Sequence, residues 1–298
     1  MTFLQGYYMQ VWQWGPPHAA ERTIDEAIAL CHEYNIQGLL LKALDGTTWM
    51  GDVDHSPDAI HGHDDIHRLR LKCSDAGLGF GVWTNPLHGD TGYLARQAML
   101  YAQAGDIAGL LALDVEPFGA FWGANRPKGD AAYFTDSIRS HAPDLPIIFQ
   151  PDPRPARLAE LRPDEWIANA NVMSGQHYWT NFDTTWYDEY IAAFNNHAKW
   201  PSPETAPTFP GNAPAGGIAG FVRAIMTSEA QGAIIWRLGT TGPEQLATIR
   251  DNPFPPHRPA PTIEERLAAV ELSMRKLIDQ QDRTRSLLQN AGAILETI

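Results

Sequence analysis

Between Phe3 and Asn252 short apolar runs alternate with longer amphipathic stretches, and the alternation repeats eight times. A chain patterned in this way returns each strand to the next through a helix, so neighbouring strands run parallel and hairpins are excluded as its main plan. The predicted strands are Leu4–Trp12, Gly38–Lys42, Gly79–Thr84, Gly109–Asp114, Ile147–Gln150, Ala168–Met173, Ala206–Phe209 and Gly232–Trp236, the seventh lying in a Pro-rich stretch. The predicted helices are Thr23–Tyr34, Asp64–Ala76, Thr91–Ala104, Asp130–His141, Arg154–Glu160, Thr184–Ala198, Gly217–Ala230 and Pro243–Arg250. Thr23-x-x-Glu26 opens the first of them as a capping box. No Gly-rich phosphate fingerprint follows the first strand, so residues 1–252 point to a (β/α)8 TIM barrel in the α/β class rather than an open doubly wound sheet.

The pattern stops at Asn252. Residues 253–261 carry five prolines, which remove backbone donors and hold the chain extended, so they read as a stiff linker. Residues 262–298 read as one helix with Ile263, Leu267, Val270, Met274, Leu277, Leu288, Ala291, Leu295 and Ile298 on a seam spaced by fours and threes. Gln281 and Thr284 interrupt that seam as a polar layer. About five heptads of a 3.5-residue repeat favour a left-handed coiled coil, so homo-oligomerisation through 262–298 is expected.

Composition narrows the partners. With 35 acidic against 22 basic residues the net charge is -13, which argues against a nucleic-acid phosphate footprint. No run approaches the roughly 18 apolar residues of a membrane span. The first residues lack the basic segment and apolar core of a secretory signal, so cytoplasmic synthesis is expected, with release by lysis or by assembly into a virion. Cys31 and Cys73 both fall in predicted helices and read as free buried thiols rather than a disulfide framework. Ten tryptophans beside 25 glycines and 23 prolines suggest loops built over a binding surface.

In a barrel the chemistry sits at the C-terminal ends of the strands. The fourth strand, Leu110-Leu111-Ala112-Leu113-Asp114-Val115-Glu116-Pro117, ends in two carboxylates. Period-two geometry puts Asp114 and Glu116 on one face, about 7 Å apart along the chain, near enough to couple their protonation. One carboxyl held protonated beside one kept ionised is the division of labour that glycoside hydrolysis requires. Other strand ends supply Lys42 with Asp45, Trp83 with Asn85, Gln150 with Asp152, then Gln176, His177 and Tyr178, and Trp236 with Arg237. Aromatic faces with amide and carboxylate edges suit a polysaccharide, while some of the tryptophans fill core layers.

The loop 52–67 holds His55, His61, His63 and His67 with five aspartates, but no standard zinc spacing. No metal or other cofactor is predicted, and Asp64 reads as the N-cap of the second helix.

Gly38-Leu39-Leu40-Leu41-Lys42-Ala43-Leu44-Asp45-Gly46-Thr47-Thr48-Trp49 resembles the second-strand motif of the Chalaropsis-type muramidases, the lysozyme-like family-25 glycoside hydrolases. Leu113-Asp114-Val115-Glu116 resembles their fourth-strand Asp-x-Glu, and Gly79–Trp83 and Trp166–Ala168 are similar to further positions. The resemblance implies Glu116 as proton donor and Asp114 as the residue that orients or stabilises a substrate acetamido group or an intermediate. Two acids of that family, in the first and last strands, are missing here, where the chain reads Gly6-Tyr7-Tyr8-Met9-Gln10-Val11-Trp12-Gln13 and Ile234-Ile235-Trp236-Arg237-Leu238-Gly239. The last strand and Asn171-Val172-Met173-Ser174-Gly175-Gln176-His177-Tyr178 resemble instead the chitinase-type, family-eighteen hydrolases. There a Trp floors the sugar site, a Tyr holds the acetamido group, and the substrate's own carbonyl is the nucleophile.

Both resemblances imply an N-acetylhexosamine polymer such as peptidoglycan. Together with the strand-end positions they give Glu116 and Asp114 as the expected catalytic residues and Lys42, Asp45, Trp83, Asn85, Gln150, His177, Tyr178 and Trp236 as the expected substrate-binding ones. The alternative is a non-catalytic carbohydrate-binding or structural module of a virion or tail.

Overall fold

The computed structural model describes residues 4–182, 191, 192, 195, 204–228 and 230–254. Along the chain they form β1 (Gly6–Val11), α1 (Ile24–Glu33), β2 (Gly38–Asp45), β3 (Thr48–Trp49), α2 (His63–Asp75), β4 (Gly79–Asn85), α3 (Thr91–Ala108) and β5 (Leu111–Val115). Then come α4 (Asp130–His141), β6 (Ile147–Pro151), α5 (Pro155–Glu160), α6 (Pro163–Ile167), β7 (Val172–Met173), α7 (Trp179–Phe182), β8 (Glu204–Thr205), β9 (Thr208–Pro210), α8 (Ala215–Met226), β10 (Gly232–Trp236) and α9 (Pro243–Asp251).

The sheet runs β8-β7-β6-β5-β4-β2-β1-β10-β9 with every pair parallel, and only the short β3 turns back antiparallel on β2. Its two ends, β8 and β9, are the halves of one segment, 204–210, interrupted at Ala206 and Pro207. That segment is bonded on both sides: Thr208 N–H donates to Gly175 O at 2.9 Å, while Ile234 N–H donates to Pro207 O at 3.0 Å. The sheet therefore curls back on itself as in a TIM-like barrel. The weakly patterned seventh strand is the broken one, because Pro207 has no N–H to give to a ladder.

Strand alternation sorts the side chains into two layers. Leu111, Leu113 and Val115 of β5 face the helices with Val82, Phe134 and Phe149, whereas Leu110 and Ala112 face inward with Tyr8, Leu40, Trp83, Ile148, Val172 and Ile234. At the bottom of the interior the Tyr8 ring lies on Gly38 and Gly79, where an added Cβ would come within 2.3 Å and 2.2 Å of it. Above it sits a polar layer: Gln10 Nε2 donates to Gln150 Oε1 at 3.2 Å, Gln150 Nε2 donates to Thr208 Oγ1 at 2.8 Å, and Ser174 Oγ is 2.8 Å from Thr208 Oγ1. These groups are buried, so their mutual bonds are what make that burial tolerable.

Several expectations need correcting. The sixth strand is only Val172–Met173, because Pro163 starts the helix α6 and Trp166 buries its ring flat against Phe149, 5.5 Å between centroids. Asp64 is not a cap: α2 begins at His63 behind Gly62, which leaves Asp64 inside the first turn. Loop 52–67 has a structural task instead. Asp54 accepts from Trp14 N–H at 2.8 Å, and Asp58 accepts from Ile24 N–H at 2.8 Å while pairing with Arg68 at 2.5 Å. Among the described residues no three His, Cys, Asp or Glu side chains are placed to share an ion.

The compact unit ends at Phe254. Pro253 and Phe254, assigned by sequence to the linker, belong to it, since the Phe254 ring stands edge-on to Tyr7 at 4.9 Å. The predicted helix 184–198 is almost wholly outside the described residues, as are 255–261 and the coiled-coil helix 262–298. No described helix is long and apolar enough to cross a membrane.

Candidate active site

A cavity of about 600 Å³ opens at the C-terminal ends of the strands. Its walls are the topmost inward residues: Trp12, Lys42, Asp45, Trp83, Asn85, Leu87, Asp114, Glu116, Gln176, Tyr178 and Trp236, with Ala120 and Phe121 reaching in from the loop after β5. Alternation on β5 explains the central pair, for Val115 between them is fully buried on the helix side. Lys42 and Asp45 share the cavity for a different reason. The β2–β4 register slips between Lys42 and Leu44, and this bulge turns Ala43 and Leu44 both to the core and Asp45 back beside Lys42.

Lys42 is 6% exposed and Asp114 8%, so charges here are shielded from water. Lys42 Nζ pairs with Asp45 Oδ1 at 2.6 Å and lies 4.7 Å from the Trp83 ring centroid and 5.9 Å from that of Trp12. The Trp83 indole N–H donates to Val11 O at 3.0 Å, and its ring meets Trp236 edge-on at 5.4 Å. The Tyr178 ring lies 6.2 Å from Trp236, and Tyr101 OH fixes the Asn85 backbone by donating to its carbonyl at 2.6 Å.

Gln176 organises the carboxylates. Its amide donates to Asp114 Oδ1 at 2.6 Å and to Gln150 O at 3.0 Å, and its dipole also favours the ionised form of Glu116. Burial raises the pKa of both acids, and their neighbours then separate them. Asp114 is pushed up to about 7 by burial, with Lys42 and the Gln176 bond pulling it back and Asp45 adding to the rise. Glu116 goes up to about 8, by burial first and then by the negative charges of Asp114 and Asp152, against the Gln176 bond and Arg154. Arg154 grips Asp152 through Nε, 3.0 Å from each carboxylate oxygen. Burial and the same acids raise the Tyr178 phenol well above its ordinary value, so it stays a hydrogen-bond donor. Glu116 is thus the acid that keeps its proton longest, and Asp114 is the one that ionises first.

Of the residues predicted by sequence, Lys42, Asp45, Trp83, Asn85, Asp114, Glu116, Tyr178 and Trp236 meet at this cavity. Trp83 is 1% exposed with a face given to Lys42, so it is floor rather than a stacking platform. Gln150 lies below the cavity, where its carbonyl holds Gln176. His177 does not reach the cavity: its ring is fully buried against Phe221, 5.7 Å away, because the residue after the inward Gln176 points to the helix side. Sequence reading passed over Trp12 and named Gln176 at a strand end without counting it among the substrate-binding residues, although period two from Gln10 and from Ser174 marks both.

No family model and no curated protein matches the sequence. Solved structures do match. The chain is similar to a GH18 chitinase from Pseudoalteromonas aurantia, with 14% identity, a TM-score of 0.56, and coverage of 83% of this chain and 100% of that one. It is also similar to the spore cortex-lytic enzyme SleL of Bacillus megaterium QM B1551, with 9% identity, a TM-score of 0.59, and coverage of 83% and 74%. A third match is the xylanase-alpha-amylase inhibitor protein XAIP-I in complex with trehalose, with 13% identity, a TM-score of 0.55, and coverage of 83% and 96%. In fold, the chain resembles the TIM barrels of glycoside hydrolases.

Proposed function

We propose that the protein is a glycoside hydrolase that cleaves an N-acetylhexosamine polymer such as peptidoglycan by acid/base catalysis. The observation that carries this reading is the Asp114–Glu116 pair, its Asp114 held by Gln176, at the base of a cavity walled by Trp12, Trp236 and Tyr178. Glu116, protonated at neutral pH, donates to the glycosidic oxygen. The other cavity carboxylates are occupied: Asp45 by Lys42 and Asp114 by Gln176. Attack by the substrate's own acetamido carbonyl on the anomeric carbon fits that arrangement, with Asp114 and the Tyr178 hydroxyl orienting the acetamido group. Glu116, now a carboxylate, then takes a proton from the water that opens the cyclic intermediate, which restores the acid.

The test is turnover of peptidoglycan fragments and chitin oligomers by wild type and Glu116→Gln. Loss of kcat by about 10²-fold or more with a nearly unchanged KM is the expected result. Wild type without turnover on any of them, or a variant at wild-type rate, refutes the assignment. A second reading, a barrel that binds sugar without cleaving it, is favoured by the likeness to XAIP-I, an inhibitor protein. Binding of these oligomers by an inactive wild type supports it.

A further inference from the structure

Asp114 and Glu116 stand at the end of β5, and across the sheet the end of β10 carries a cation that the described residues leave without a counter-ion. Arg237 follows Trp236 at the end of β10. A turn fixes its backbone: the N–H donates to Thr240 Oγ1 at 3.2 Å, and the carbonyl accepts from Thr241 Oγ1 at 2.9 Å. The guanidinium lies 4.7 Å from the Trp12 ring centroid and 5.8 Å from that of Trp236, two residues of the cavity wall. NH1 donates to His18 O at 3.1 Å, whereas among the described residues Nε and NH2 have no acceptor and no carboxylate pairs with the group.

A half-buried guanidinium without a counter-charge is costly, and burial already lowers its pKa. Stacking on Trp12 takes up the face and leaves the Nε/NH2 edge, which matches the two oxygens of a carboxylate. Lys42, the other cation at Trp12, is already held by Asp45.

We propose that Arg237 is a specificity-determining residue that binds a carboxylate carried by the glycan, so that the cavity prefers an acidic amino-sugar polymer to a neutral, chitin-like one. The proposal rests on the reading of the cavity as a glycan site. Asp114, the acid that ionises first, repels such a substituent from its own side, so attraction at one rim and repulsion at the other give the polymer a single orientation in the cleft.

The experiment is calorimetric titration of the full-length Glu116→Gln protein, with and without Arg237→Gln or Arg237→Lys. The two ligands are the N-acetylglucosamine tetramer and the peptide-free tetramer in which alternate sugars carry a lactyl ether. The ratio of the two affinities is the readout. The parent should bind the carboxylated tetramer about tenfold tighter or more, R237Q should bring the ratio close to one, and R237K should keep part of it. Melting followed by circular dichroism checks that each variant is folded. Equal affinities in the parent, or a preference that survives R237Q, overturn the proposal.

If neither tetramer binds, the cavity reading fails and free D-lactate becomes the probe. Lactate binding removed by R237Q then keeps Arg237 as a carboxylate site, and no such binding overturns that as well.

Discussion

At the scale of single residues the site is decided by burial and by one amide. Folded Glu116 holds its proton to about pH 8, whereas an unfolded chain releases it near 4.5. Its contribution is therefore fully favourable below pH 4.5 and is lost as the pH rises toward 8. Glu116→Gln removes that titration, so the variant should melt higher than wild type at pH 7, by on the order of 1–3 kcal/mol, and the gain should vanish at pH 4. Thermal melting at the two pH values checks this. For catalysis the same proton sets the basic limb: kcat/KM should fall above about pH 8, as a pH–rate profile would show. An unchanged rate at pH 9 would remove Glu116 from the acid role. The acid pair was legible in the sequence because alternation along one strand is local. Gln176 was not singled out over His177, because β7 is only two residues long and which neighbour turns inward is settled by the bonds of Gln176 to Gln150 and Asp114.

At the scale of elements, amphipathic helices and strands with continuous apolar runs fell close to their predicted spans. Asp130–His141 and Gly232–Trp236 form over the predicted residues. Where the sequence pattern misled, a partner distant in sequence intervened. Thr23 Oγ1 accepts from Glu26 N–H at 3.3 Å as the box requires, but its return half shifts, since Glu26 accepts from Arg22 N–H at 2.5 Å and Asp58 supplies the acceptor for Ile24 N–H. Asp58→Ala leaves that donor without its acceptor and Arg68 with Asp65 alone, and should destabilise the fold by about 2–3 kcal/mol in urea unfolding, with no change in glycan affinity. A ligand site in loop 52–67 would instead show a binding defect without loss of stability. The bulge between Lys42 and Leu44 is likewise invisible to periodicity, because unbroken alternation would turn Leu44 inward and Asp45 away.

At the scale of the whole molecule, segment 204–210 joins the two ends of the sheet, and the C-terminal end of the compact unit is fastened to the first strand. Tyr7 OH donates to Asn252 O at 2.6 Å beneath the Phe254 ring. Tyr7→Phe keeps the ring and loses this bond, so it should cost about 1–2 kcal/mol in thermal or denaturant unfolding, and an unchanged midpoint would show the fastening to be dispensable. For 262–298 the heptad seam predicts that the full chain sediments above its 33.0 kDa monomer mass and that Leu277→Glu returns it to monomer. A monomeric wild type would exclude the coiled coil. By itself the sequence determined the parallel α/β plan and the place of the acid pair, since both follow from periodicities of two and 3.6 residues that each segment carries alone. Only the tertiary structure decided that Gln176 holds Asp114, that Asp45 returns to Lys42, that His177 faces Phe221 and that Arg237 stands over Trp12 with no counter-ion among the described residues. Those are encounters between side chains far apart in sequence, and they exist only once the curled sheet has brought the strand ends to one rim.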